Sequence, residues 1–102
     1  MTREEAERTL AGLRDRIDEI DRELIALVNE RTRVVEDIGR MKRELNLAIY
    51  EPKREEQVFA NVAAHNTGPL PDDAAKRIFE RIIDEMRTVQ RLRMLAERKK
   101  ES

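Results

Sequence analysis

Between Leu10 and Leu45 an apolar residue recurs at alternating steps of three and four, with one exception. The series is Leu10, Leu13, Ile17, Ile20, Leu24, Leu27, Arg31, Val34, Ile38, Met41 and Leu45. A 3.5-residue repeat held this long predicts one long helix whose stripe faces other helices. Arg31 stands where Leu or Ile belongs, and a buried guanidinium without a partner is costly. It must meet an acid of the protein or a bound anion. The seam also sets a length. At 1.5 Å per residue it runs roughly 52 Å, whereas a compact domain of ~100 residues has a radius of gyration near 13 Å. Later helices of roughly 20 and 40 Å cannot cover it, so the expected assembly is an obligate homodimer with intertwined long helices.

The 102 residues suffice for one small domain. No cysteine is present, which rules out disulfides and thiolate chemistry and fits a reducing cytoplasm. No apolar run approaches the ~20 residues of a membrane span. Charged residues are 42% of the chain but sum to −1. A nucleic-acid binder needs a clustered basic surplus, and aromatics at 3% leave no stacking platform for bases. Abundant Glu, Arg, Leu and Ala with few Gly and Pro point to an all-α fold.

In chain order, Thr2-x-x-Glu5 is a capping box for the first helix. Gly12 and Gly39 interrupt it without Pro or a turn cluster, so the helix is expected to pass through both. Gly39 either permits a close backbone approach or is a tolerated surface glycine. After Leu45, residues 46–51 read as a connection, and Pro52 suits the first turn of a second helix. That helix reaches about His65, with Val58, Phe59, Val62 and Ala63 on its apolar face. Asn66-Thr67-Gly68-Pro69 ends it. Pro71 opens a third helix, with Asp72 and Asp73 in its first turn and an apolar face of Ala75, Ile78, Phe79, Ile82, Ile83, Met86 and Val89. The tail Ala96–Ser102 is polar and is expected to fray.

Polar residues interrupt each apolar face. Lys42 follows Arg31 by eleven residues, about 20° off the same helical line, with Val35 and Ile38 between them. Glu55 shares the face of Val58 and Phe59, and Gln90 follows Ile83 and Met86 on theirs. Two readings stay open. These are buried ion pairs that set register, for instance Glu55 with Lys42 or Arg31, or they line a pocket for an anionic small molecule. Arg14 lies about 26 Å along the helix from Arg31, so it reaches the same small ligand only from a partner protomer. No nucleophile–base–orienter set stands out, no metal-ligand spacing appears, and His65 reads as a cap at a helix C-terminus. Any chemistry must rest on orientation and electrostatics.

The runs Leu13-Arg14-x-x-Ile17-Asp18, Glu30-Arg31, Ile38-Gly39-x-x-Lys42, Ile49-Tyr50-Glu51-Pro52-x-Arg54-Glu55 and Ile82-Ile83-x-x-Met86-x-x-x-Gln90 resemble, in order and spacing, the all-helical, AroQ-type chorismate mutases. The resemblance implies an intertwined dimer with two sites, each built from both chains. It implies the Claisen rearrangement of chorismate to prephenate in aromatic amino-acid synthesis, without metal or cofactor. By the same resemblance, Arg31 and the partner chain's Arg14 would hold the two substrate carboxylates, supported by Arg54. Lys42 and Gln90 would donate to the ether oxygen, and Glu55 would accept from the ring hydroxyl beside the Glu51 backbone. Met86 departs from the small polar residue of many relatives, which puts one carboxylate contact in question. Other scaffold-sharing functions are an isochorismate-pyruvate lyase and a non-catalytic or partner-activated helical dimer.

Overall fold

A computed structural model describes residues 1–101. Three helices follow one another: α1 (Arg3–Glu44), α2 (Pro52–His65) and α3 (Asp72–Glu101). The chain divides into two compact units, Met1–Arg33 and the residues from Val34 onward. No helix among the described residues is long and apolar enough to cross a membrane.

The first unit is a stretch of α1. It opens on the expected capping box, in which the Glu5 amide donates to Thr2 Oγ1 at 3.1 Å and the Thr2 amide to Glu5 Oε2 at 3.3 Å. The helix runs through Gly12, around which a Cβ would meet nothing within 4 Å. Leu10, Leu13, Ile17, Ile20, Leu24 and Leu27 are 39% to 61% exposed. Within one chain this half of the seam is an apolar face without cover.

The second unit begins at Val34. Its buried apolar residues are Val35, Ala75, Ile83 and Met86, with Lys42 and Gln90 buried among the polar ones. On α1 the inward line is buried Val35, half-buried Gly39 and buried Lys42, spaced by four and three. It lies one residue around from Val34, Ile38 and Met41, which stay about half exposed. This part of α1 therefore has two distinct faces: one packs within the chain and the seam face does not. α2 packs on α3, half-burying Val58, Phe59 and Val62.

Turn chemistry fixes how these elements join. After α1 the Leu47 amide donates to Lys42 O at 2.7 Å and the Asn46 amide to Arg43 O at 3.2 Å. With Asn46 at φ +56°, this is a Schellman ending, and Asn tolerates the left-handed conformation better than most side chains. Pro52 occupies the first turn of α2, as the sequence predicts. At its other end the His65 ring meets Asn61 O at 2.7 Å. The Asn66 side chain then ties α2 to α3: its Nδ2 donates to Leu70 O at 2.8 Å and Asp72 Oδ1 at 2.7 Å, and its Oδ1 accepts from the Gly68 amide at 3.1 Å. Gly68 sits at φ +77°, a conformation open to glycine.

The expected fraying from Ala96 is corrected by the structure, in which α3 continues to Glu101; Ser102 lies outside the described residues. Good helix formers fill this stretch. Arg98, Lys99 and Lys100 in the last turn suit the negative end of the macrodipole. Glu97 is ion-paired with Arg43 of α1, one turn above an Arg93–Glu36 pair at 2.6 Å.

Candidate functional site

Lys42 lies in the last turn of α1, where the Schellman ending folds the following chain back over it. The Nζ atom donates to Ile49 O at 2.8 Å, approaches Glu51 Oε1 at 2.9 Å and lies 3.4 Å from Gln90 Oε1. An ammonium has three hydrogens, and three acceptors surround this one. They come from the connection, the residue preceding α2, and α3. Its side chain is 10% exposed, and a buried charge persists only when compensated in this way.

Gln90 faces Lys42 from α3 and is equally buried. Its Nε2 donates to Val35 O at 3.2 Å, a carbonyl that already belongs to the α1 ladder and has a second lone pair to give. Gly39, one turn on, makes the approach possible. A Cβ built there would stand 3.5 Å from Gln90 Cγ, so any longer side chain would enter the space of the glutamine. Of the two readings of Gly39, close approach is the one realised. Met86, one turn before Gln90, is buried and adds apolar wall. The result is an ammonium and a carboxamide brought together inside an apolar core. Gln90 Nε2 carries a second hydrogen that no described acceptor takes up.

The acids divide differently from the expected pairing. Lys42 takes Glu51, whereas Glu55 lies 3.4 Å from Arg87 Nε on α3. Glu51 is the N-cap residue of α2 and Glu55 lies one turn further, so the fold-back of the connection brings the earlier acid to the ammonium. Arg87 also pairs with Asp84, and its guanidinium stands over the Tyr50 ring, 5.4 Å from the centroid. Sequence reasoning passed over Arg87. A signal for it existed, since Ile83, Arg87 and Gln90 are spaced by four and three, which puts a cation on the line of two buried residues.

The remaining predicted residues are Arg54, Arg14 and Arg31. Arg54 is exposed and donates to Gln57 Oε1 on its own helix at 3.3 Å. Arg14 and Arg31 belong to the first unit, Arg14 exposed and Arg31 half-buried. Among the described residues no group of three or more His, Cys, Asp or Glu is placed to hold a metal ion.

Comparison with known proteins places this arrangement. The family model for chorismate mutase type II matches residues 13–91, a span that includes both Lys42 and Gln90. The chain belongs to that family. A chorismate mutase (form II) structure from Thermus thermophilus superposes with a TM-score of 0.79 at 37% identity, covering 81% of this chain and 94% of that one. The chorismate mutase of Methanocaldococcus jannaschii is 28% identical over 80% of this chain and 84% of its own length. A bifunctional chorismate mutase/prephenate dehydratase of Neisseria gonorrhoeae is 38% identical over 76% of this chain. The chain spans about a fifth of the length of that relative and of its Aquifex aeolicus counterpart, 21% and 22%. What this chorismate mutase type II domain offers chemically is preorganised donors rather than a nucleophile.

Proposed function

We propose that this chain catalyses the rearrangement of chorismate to prephenate in aromatic amino-acid synthesis, working in the cytoplasm as a homodimer with two shared sites. The observation that carries the reading is the convergence of the Lys42 ammonium and the Gln90 amide in a core otherwise built of Val35, Ala75, Ile83 and Met86. A [3,3] shift within one molecule moves no proton and forms no bond to the protein. Negative charge grows on the ether oxygen as its C–O bond breaks, and donors fixed in a low-dielectric site stabilise it without reorganising. Gln90 has an unspent N–H for this oxygen. Lys42 has a weak contact to exchange, the one to Gln90 Oε1 at 3.4 Å.

Arg31 and the partner protomer's Arg14 are assigned the two carboxylates, with Arg54 in support. They select the compact conformer in which the reacting carbons meet. Glu55 is assigned the ring hydroxyl. Met86 walls the pocket, so the contact a small polar residue would make there falls to a backbone group or water. The exposed seam of α1 supports the dimer, since it is a continuous apolar stripe long enough to accept a second long helix.

The test is direct. Purified protein mixed with chorismate should produce prephenate with no added metal or cofactor. Formation of salicylate and pyruvate from isochorismate instead would replace the mutase with a lyase. Activity appearing only on addition of another shikimate-pathway enzyme would make the chain a partner-activated subunit.

A further inference from the structure

We propose that Arg87 is a positioning residue for Glu55, holding one carboxylate oxygen so that the other is presented to the substrate's ring hydroxyl. The proposal rests on the reading just given, in which Glu55 receives that hydroxyl.

Arg87 is held on three sides by groups from three elements. Asp84, three residues earlier on α3, takes Nη2, and the Tyr50 ring from the connection lies 5.4 Å from the guanidinium. Glu55 Oε2 from α2 stands 3.4 Å from Nε. A guanidinium clamped by an acid and an aromatic face has a fixed direction, which a lysine at the same place would lack. The side chains of Arg87 and Glu55 are 27% and 21% exposed, so the pair is screened less than a surface pair.

Two details connect the pair to binding. Arg87 Nε is shielded from solvent and makes no hydrogen bond of good geometry, so its contact with Oε2 is mainly electrostatic and sets orientation without saturating the acid. An ionised carboxylate accepts at both oxygens, and no described group donates to Glu55 Oε1. Arg87 also gives Glu55 a cation of its own. Glu51 and Glu55 lie one turn apart with a single ammonium, Lys42, near the first of them. The division into a Lys42–Glu51 pair and an Arg87–Glu55 pair keeps the two carboxylates in separate roles.

The test is steady-state kinetics of Arg87→Met, Glu55→Gln and the double variant on chorismate, with circular dichroism to follow folding. A hydroxyl contact present in both ground and transition states acts on KM. Arg87→Met should raise KM about tenfold with kcat within about threefold of wild type. In the Glu55→Gln background the same change should move KM by less than about twofold. Arg87→Lys keeps the charge but not the fixed direction, so its KM should fall between those of wild type and Arg87→Met. Should Arg87→Met fail to fold, Arg87→Gln against Arg87→Lys supplies the same comparison. An unchanged KM in Arg87→Met, an equal rise in both backgrounds, or a fall in kcat alone would overturn the role while leaving the mutase intact. Wild-type protein without mutase activity would overturn both.

Discussion

Lys42 touches one backbone carbonyl, one carboxylate and one amide oxygen, and this set defines what substitution should do. Lys42→Met keeps the aliphatic stem and removes the three donors. We expect kcat to fall by about 10²–10³ while the far-UV circular dichroism spectrum keeps its helical form; undiminished turnover would remove Lys42 from the chemistry. Lys42→Arg should also be strongly impaired, because a planar fork cannot meet three acceptors arranged around a point charge. Gly39 supports Gln90 by lacking a side chain, so Gly39→Ala should retain most activity and Gly39→Leu should lose it by pushing the amide away. Lys42, Glu55 and Gln90 were legible in the sequence because a polar residue at helical spacing on an apolar stripe is conspicuous. The partner of each acid was not legible. That choice depends on where the 46–51 connection folds, which spacing along helices does not encode; the spacing of Arg87 from Ile83 and Gln90 marked its face but not which acid it would meet.

At the scale of elements, each boundary that carries a local chemical signal was readable: the Thr2–Glu5 box, Pro52 in the first turn of α2, and the Asn66–Pro69 stop. The end of α3 was not, since its last turns look like solvated polar helix and are held partly by long-range pairs to Arg43 and Glu36. The Schellman ending of α1 matters most for the site, because it turns Ile49 and Glu51 toward Lys42. Its left-handed residue is Asn46. Asn46→Gly should leave stability unchanged or slightly raised, whereas Asn46→Val should cost about 1–2 kcal/mol in urea unfolding. Activity of the valine variant should fall further than its folded fraction, since the acceptors of Lys42 move with the turn. Equal losses would mean that the turn supports stability alone.

At the scale of the whole molecule, the seam from Leu10 to Leu45 leaves ten large apolar side chains 39% to 67% exposed in a single chain, more than a stable monomer carries as one continuous stripe. A 12.0 kDa chain that pairs along this stripe should run as a particle of about 24 kDa. A charge placed at its middle, as in Leu24→Glu, should dissociate the particle and reduce helicity together. Sharing of the site makes a sharper prediction. If each site takes Lys42 from one chain and Arg14 from the other, Arg14→Ala and Lys42→Ala proteins are each inactive for different reasons. Unfolded together in equal amounts and refolded, they form mixed dimers in half of the population. In a mixed dimer one site combines the intact Lys42 of the first chain with the intact Arg14 of the second, while the other site lacks both. Activity should therefore return to about a quarter of the wild-type value. Mixed dimers that form, as shown by a tag on one chain, and yet stay inactive would show that Arg14 does not cross between protomers. The long helix would then pair the chains without completing their sites.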